Sequence, residues 1–327
     1  MKSVEGKTCV LGIDLGGTRT ALSAVSRDGN IILSLESPSS RDDEEKMIST
    51  LIDIIGSGRD AAFRKGFKTI AIGMGIAGFI LHDEGIVVES PNIDWSMVPL
   101  RRMVFESTGL PTFLDNDANA ACLGEKLAGV ASGSNNFIYL TLGTGIGGGI
   151  FADGKIYRGS RGTAAELGHM VIDKDGPLCG CGRRGCLEAL ASGTALVREA
   201  SRLAHEFKDS KLLSLSGGKT EKITGELVAQ AAQQGDPASL EAFSRISKYL
   251  GIGIANLIHI FDPEMVVLGG GMSRSGNLFL DKVKEAVCEN GNSFLIRDAR
   301  IRLSSLGREA GVIGAAAIAW EGIEDSL

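Results

Sequence analysis

Leu11-Gly12-Ile13-Asp14-Leu15-Gly16-Gly17-Thr18-Arg19 is an apolar run that ends in an acid, a glycine pair and a hydroxyl. The residues around it decide what kind of glycine loop this is. Thr8 to Ile13 predicts one strand and Thr20 to Val25 a second. An Asp28-Gly29 turn and a third strand over Asn30 to Leu35 follow, and a two-residue Asp-Gly connection between β-type runs signals a hairpin. A dinucleotide fingerprint or a Walker loop would lead into a helix, whereas this loop turns back into a strand. Its backbone N–H groups at Gly16 and Gly17, with the Thr18 hydroxyl, can still cradle phosphate oxygens, and Arg19 adds a positive charge. Asp14, at the strand end, is placed to hold Mg2+ through water.

The same layout recurs. Phe137 to Leu142 is an apolar run leading into Gly143-Thr144-Gly145-Ile146-Gly147-Gly148-Gly149, then Ile150 to Ala152, an Asp153-Gly154 turn and Lys155 to Tyr157. Two units of strand, glycine loop, strand, Asp-Gly turn and strand predict a duplicated α/β architecture of βββαβ units. Each of two lobes then offers one phosphate loop to a central cleft. Glu264 to Leu268 predicts a strand running into Gly269-Gly270-Gly271, whose backbone a ligand can approach closely; an adenine at Gly270 is the expected guest. Gly218-Lys219-Thr220 imitates the tail of a Walker loop, but Leu213 stands where its first glycine is required.

Between and after the loops the pattern alternates. Glu44 to Arg64 carries Met47, Leu51, Ile54 and Ile55 at helical spacing, with Gly56 and Gly58 weakening its middle. Lys68 to Ile76 predicts a buried strand, Val98 to Ser107 a helix, Pro111 to Leu114 a short strand and Ala118 to Leu127 a helix. Apolar stripes over Thr194 to Phe207, Ile223 to Gln234 and Ala238 to Ile260 predict helices packed in a core, and residues 311–320 a small-residue helix. The expected division is a smaller lobe over residues 1–117, with 311–327 packing back onto it, and a larger lobe over 118–310.

Three groups of residues carry chemistry. Asp115-Asn116-Asp117-Ala118-Asn119 sits between a strand and a helix. One helix cap does not need three such side chains, and Asp117, kept ionised by the helix N-terminus, is a candidate general base for a hydroxyl nucleophile. Asn92 lies in a turn and faces either a ligand or solvent. Glu166-Leu167-Gly168-His169, Cys179-Gly180-Cys181 and Cys186-Leu187-Glu188 complete the set. Cys-x-Cys-x4-Cys with a histidine ten residues upstream suits a tetrahedral, structural zinc on His169, Cys179, Cys181 and Cys186; free thiols that bind nothing are the alternative. With one His169 nitrogen on zinc, the other carries the proton. Glu166 and Glu188 could then join that N–H in gripping a polyhydroxyl ligand, or remain solvated loop charges.

Composition narrows the partners. In 327 residues, 40 acidic against 34 basic side chains give a net charge of −6, with no broad basic surface for nucleic acid. No apolar stretch reaches membrane-spanning length, and no leader pattern precedes the first strand. Cys9, Cys122 and Cys288, scattered in apolar contexts, read as reduced core thiols of a cytoplasmic protein.

Taken together, Leu11 to Arg19, Asp115 to Ala121, Leu142 to Gly149 and the segment from Glu166 through Glu188 resemble, in that order, the motifs of the ROK family of sugar kinases and repressors. The resemblance spans nearly the whole chain. It implies the two-lobed actin-like (ribonuclease H-like) ATPase fold with the active site in the interlobe cleft. It also implies ATP-dependent phosphorylation of a hexose hydroxyl, first of all glucose O6. By position Asp117 would be the base; Asn92, Asn116, Glu166, His169 and Glu188 would hold the sugar with Asp117; and Asp14, Gly16 to Arg19, Gly143 to Gly145 and Gly270 would serve the nucleotide. ATP, transient Mg2+ and structural Zn2+ are the implied cofactors, and a homodimer or dimer of dimers the implied assembly. An N-acetylmannosamine or N-acetylglucosamine kinase, or a fructokinase, is the alternative within enzymes; a sugar-sensing regulator without catalysis is the alternative outside them. Repressors of the family carry a DNA-binding module ahead of the first glycine loop, which here begins about ten residues in. Two departures bear on preference: Arg19 where many members carry lysine, and Ala77-Gly78-Phe79 where members often carry Pro-Gly-Pro.

Overall fold

Two strand runs that are apolar on both faces need helices on both sides, and the chain supplies them. The computed structural model describes residues 7–39, 43–90, 92–297 and 300–325. In chain order the strands are β1 (Lys7–Leu15), β2 (Arg19–Val25), β3 (Ile31–Pro38), β4 (Phe67–Ile76), β5 (Phe79–Leu81), β6 (Ile86–Ser90), β7 (Trp95–Val98), β8 (Thr112–Asn116), β9 (Phe137–Leu142), β10 (Ile146–Ala152), β11 (Lys155–Ile156), β12 (Met265–Gly269) and β13 (Arg300–Leu303). The helices are α1 (Glu44–Arg64), α2 (Leu100–Thr108), α3 (Asp117–Ala128), α4 (Leu187–Ala191), α5 (Gly193–Glu206), α6 (Leu212–Leu215), α7 (Gly225–Gln233), α8 (Pro237–Phe261), α9 (Leu280–Asn290), α10 (Ser293–Ile296) and α11 (Ala310–Glu324).

The chain divides into two compact units. One comprises Met1–Asn135 with Gly149–Ala165 and Arg308–Leu327, the other Asn136–Gly148 with Glu166–Gly307. The division falls beyond α3, not at Asp117, because α3 packs along α11.

In the first unit the sheet order is β3-β2-β1-β4-β8. The three strands of the glycine-loop hairpin are antiparallel, and β4 and β8 join parallel to β1. Side chains of β1 alternate between two cores. Leu11, Ile13 and Leu15 meet Met47, Leu51, Ile54 and Ile55 of α1 on one face, while Val10 shares the other face with Ala316, Ala319 and Trp320 of α11. Helix α11 comes so close that a Cβ at Gly12 would collide with the Val312 carbonyl, and one at Gly73 with the Ala315 carbonyl. A Cβ at Gly314 would collide with the Ala120 carbonyl of α3. A small three-stranded sheet, β5-β6-β7, is not foreseen in the sequence. It corrects the helix expected from Val98: Trp95 to Val98 is a strand, paired with β6 through Val87 and Val98, and the helix begins at Leu100.

The other sheet runs β11-β10-β9-β12-β13, the same order of first, second, third, fourth and fifth strand as the first. Strands β12 and β13 are parallel to β9 and β12 respectively. Strand β10 starts at Ile146, four residues before the expected Ile150, so Gly147, Gly148 and Gly149 are strand residues. Gly149 is required there because a Cβ would press on Cys122 of α3 at 2.6 Å. In the second unit α8 is the long support: Asp236 caps it by accepting from Ser239 N at 2.9 Å, and Pro237 opens it. Cys9 and Cys122 are buried as expected, but Cys288, on α9, is exposed. No helix among the described residues is long and apolar enough to cross a membrane.

The glycines separate cleanly by environment. Gly56 of α1 has open space around it, so Gly56→Ala should stabilise the protein by up to ~1 kcal/mol through helix propensity. Gly314→Val must displace backbone at the α11–α3 contact and should cost about 3 kcal/mol. Urea unfolding of the two variants tests both signs; a neutral Gly314→Val would show that α11 can move away from α3.

Candidate active site

The first glycine loop follows directly from β1. Gly16 N donates to the Arg19 carbonyl at 3.1 Å, closing a tight turn over Gly17 and Thr18. A Cβ at Gly17 would strike the Asn92 carbonyl, so this turn and Asn92, which is exposed, lie against each other. Arg19 is also exposed and pairs with Glu36 across β2 and β3 at 2.7 Å.

Asp14 is the last residue but one of β1, and Asp117 is the first residue of α3, immediately after β8. Parallel pairing of β1 with β4 and of β4 with β8 puts both strand ends on one edge of the sheet. Their carboxylates are close enough to repel. Burial first, and Asp117's charge second, push Asp14 up to about 6, while Arg19 pulls the other way. Asp117 is also raised, by burial. The helix N-terminus acts on Asp117 in the expected direction, since the bond from Ala118 N at 3.0 Å lowers its pKa, but burial outweighs it and leaves the carboxyl above its ordinary value. The cap itself is Asn116. Its Oδ1 accepts from Ala118 N at 2.8 Å and Asn119 N at 3.4 Å, and its Nδ2 donates to the Gly78 carbonyl at 3.0 Å. The Asn116 side chain also hydrogen-bonds the Asp117 carboxylate, which lowers that residue's pKa.

Asp115 is the residue in this segment whose purpose the sequence does not disclose. It is 2% exposed, and its carboxylate accepts from Asn116 N (2.8 Å), Asn119 Nδ2 (2.8 Å) and Arg158 Nε (2.7 Å), with His82 Nδ1 at 3.8 Å. Arg158 reaches on towards Glu321 at 3.8 Å, whose pKa burial raises to about 7. This buried network fixes the β8–α3 junction on which Asp117 stands.

In the second unit, a 3-10 turn at Leu167–His169 and the loop from Cys179 to Cys186 converge. The ligand atoms of His169, Cys179, Cys181 and Cys186 all lie within 4.8 Å of one another. Cys181 Sγ and Cys186 Sγ are 3.6 Å apart, as are Cys179 Sγ and His169 Nδ1. A tetrahedral ion with bonds of about 2.0–2.3 Å requires ligand separations close to these. Burial pushes the Cys179 thiol up to about 12, whereas the Arg183 amide N–H draws Cys181 down to about 6. The remaining His169 nitrogen, Nε2, faces Glu166 Oε2 at 3.9 Å. Gly182 and Gly185 adopt positive φ (83° and 71°), and a Cβ at Gly185 would collide with the Asp173 carbonyl.

The second glycine loop belongs to the same unit. Gly143 N donates to the Gly145 carbonyl at 3.0 Å. Gly193 N, at the start of α5, donates to the Gly143 carbonyl at 2.8 Å, and Thr194 Oγ1 donates to the Thr144 carbonyl at 2.8 Å. Glu188 Oε2 accepts from Ile146 N at 3.0 Å. Beside the loop lies a cavity of about 870 Å3, whose walls include Gly143, Thr144, Thr194, Gln230, Gly271 and Arg274. Gly270, at φ +79°, passes so close over Leu142 that no side chain fits, and Gly271 follows it into the wall. The wall residues of α5 and α7 were not foreseen: their stripes read as core packing, and Gln230 resembles any solvated helix residue.

A sequence model of the ROK family matches residues 10–321. The glucokinase of Streptomyces coelicolor is 39% identical over 316 residues, which are 95% of this chain and 97% of that protein. The xylose repressor of Caldicellulosiruptor bescii is 35% identical over 94% of this chain and 77% of its own length. A ROK family glucokinase from Streptomyces griseus, solved in complex with glucose and AMPPNP, matches with a TM-score of 0.83 at 36% identity, over 96% of this chain and 100% of that one. With two repeated sheets, two glycine loops and a family match over nearly its whole length, the chain belongs to the ROK family and has the actin-like ATPase fold.

Proposed function

We infer that the chain is an ATP-dependent glucose kinase. The observation that carries the reading is the pair Asp14 and Asp117, two carboxylates with raised pKa values at the strand ends beside a phosphate-type turn. A repressor needs neither. Relatives that are glucokinases at 38–39% identity, and a neighbour holding glucose and AMPPNP, support the same activity.

The overall reaction moves the γ-phosphoryl of ATP to a sugar hydroxyl, releasing ADP, sugar phosphate and a proton. Asp117 is assigned as the base: it accepts the hydroxyl proton, taken to be that of glucose O6, as the oxygen bonds to phosphorus and the bond to the bridging oxygen of ADP breaks. A carboxylate whose pKa is raised towards neutrality is better matched to that transfer than an ordinary aspartate. Backbone N–H groups of Gly16, Gly17 and Gly143 to Gly145, with the Thr18 hydroxyl and the Arg19 charge, are assigned to the phosphates, and the cavity beside Gly270 and Gly271 to the adenosine. Asn92, Asn116, Glu166, His169 and Glu188 are assigned to the sugar. Asp14 would hold Mg2+: a hard oxygen donor in a site where two carboxylates repel suits a divalent cation, which supplies charge neutralisation when bound. The His169, Cys179, Cys181 and Cys186 set fits Zn2+, which would brace its loop with no open position.

A coupled assay with glucose, N-acetylmannosamine, N-acetylglucosamine and fructose tests the activity and ranks the sugars; no turnover of any of them overturns the reading.

Two predictions follow from the carboxylates. Asp117→Asn keeps the shape but cannot take a proton, so kcat should fall by about 10²–10⁴ with a small change in glucose KM; a near wild-type kcat would remove Asp117 from the base role. Asp14 titrates near 6 against an ordinary 3.8. A raised carboxylate favours the folded state when protonated, and this contribution is lost as pH rises through 6. Ionised Asp14 therefore costs the metal-free protein roughly 3 kcal/mol at neutral pH. Asp14→Asn should melt higher than wild type above pH 6 without Mg2+, and the gap should close as pH falls towards 3.8. The variant should also lose turnover with Mg2+ across the pH range, because it offers the cation no carboxylate. Melting scans and pH–rate profiles read both; a pH-independent gap would mean Asp14 is not the strained group.

A further inference from the structure

Glu188 does something its assignment to the sugar does not require. Its Oε2 accepts from Ile146 N at 3.0 Å, and its Oε1 faces Cys179 Sγ at 3.5 Å. The carboxylate lies directly against the second glycine loop: a Cβ at Gly145 would collide with Oε2, so a side chain there would push Glu188 off the Ile146 N–H. The Ile146 carbonyl, in the next peptide, is closely approached as well: a Cβ at Gly168 would collide with its oxygen. Gly168 immediately precedes His169, and Cys186 is the cap residue of α4, two positions before Glu188. Both segments that touch the Ile146 backbone therefore carry members of the Cys/His set. They are also tied to each other, since Leu187 N donates to the Met170 carbonyl at 2.8 Å and Val171 pairs with Cys186.

We propose that Glu188 is a positioning residue for the second glycine loop: it links the His169/Cys179/Cys181/Cys186 set to the Ile146 peptide, so that a metal held by the set fixes the loop that receives the nucleotide. The inference rests on the nucleotide assignment above. A carboxylate–amide bond is charge-assisted and short-ranged, so it transmits position only while α4 is held at its first turn. Cys186 provides that hold when it is a metal ligand. The lone pairs of Glu188 that remain are free for a sugar hydroxyl. The consequence is that the metal matters for nucleotide binding in the absence of any sugar.

The test is calorimetric titration with MgADP, without sugar, on zinc-loaded and chelator-stripped protein, with zinc content read by metal release. Glu188→Ala should weaken MgADP binding about tenfold, and stripping the metal from wild type should weaken it comparably. Stripping Glu188→Ala should add nothing further, because both act through one contact. Glu188→Gln keeps an oxygen acceptor for Ile146 N and should stay within about threefold of wild type. Glu188→Asp is one methylene short of that N–H and should behave as Glu188→Ala, which keeps the test available if the alanine variant does not fold. Hydrogen exchange at the Ile146 amide should quicken in the alanine or aspartate variant and on stripping. Equal MgADP affinity in wild type and Glu188→Ala, multiplying effects of stripping and substitution, or no zinc taken up by wild type would each overturn the linkage. A zinc-loaded wild type that binds no MgADP would instead sink the nucleotide assignment.

Discussion

Helix α11 lies against β1, β4 and α3 at backbone distance, and the candidate chemistry of the first unit depends on that closeness. Gly12, Gly73, Gly124 and Gly314 permit it, each at a point where any side chain would meet a carbonyl or an amide. The strand that ends in Asp14 and the helix that starts at Asp117 are thereby held through one common element. Helix α11 also reaches Asp14 itself: a Cβ at Gly311 would lie 2.8 Å from Asp14 Oδ2. Close packing of small residues leaves little room for adjustment, which is the property a pair of repelling carboxylates needs from its surroundings. Looser packing would let them separate or admit water, and their pKa values would relax towards ordinary ones.

The three aspartates of this unit show one residue type in three electrostatic situations. Asp115 is the most buried, yet it is fully compensated by Arg158, Asn119 and a backbone amide. Asp117 has amide bonds but no cation beside it, and Asp14 has a repelling neighbour with only the distant help of Arg19. Compensation thus decreases from the residue that supports the site to the residues assigned to act in it. Removing the Arg158 partner would leave a buried charge unpaired, whereas neutralising Asp14 relieves a repulsion. Stability and activity are opposed at Asp14 and aligned at Asp115.

What could be read from the sequence was what local chemistry determines. The two glycine loops were legible because a strand that turns back into a strand leaves its mark within a dozen residues. The Cys/His set was legible because all four ligands fall between His169 and Cys186. The Asp115 network was hidden because Arg158 is 43 positions away and Glu321 farther still. The rise in the Asp117 pKa was hidden for the same reason: its helix N-terminus is local and visible, while its burial is tertiary. Strands β5 to β7 are three to five residues long and partly exposed, with too little alternation to register. The cavity wall on α7 escaped because an exposed glutamine facing a ligand and one facing solvent look alike.

The two sheets repeat, but their chemistry does not. Aligned on the glycine that follows each first strand, Gly16 and Gly143, the position of Asp14 corresponds to Thr141. The fifth strand of the first sheet, β8, ends in Asn116 and passes to Asp117, whereas β13 ends at Leu303 and passes to serines. Among the described residues the second unit therefore offers no carboxylate pair at its strand ends; it offers backbone amides, a cavity and a glutamate bonded to its loop. A duplicated scaffold supplies the same turn twice, with different side chains around each copy: two carboxylates beside the first, and backbone amides with a cavity beside the second. Glu188 of the second unit has its Oε2 occupied by the Ile146 N–H: held there it is bonded to the loop, where a freely facing charge would repel any anion approaching the loop's backbone N–H groups.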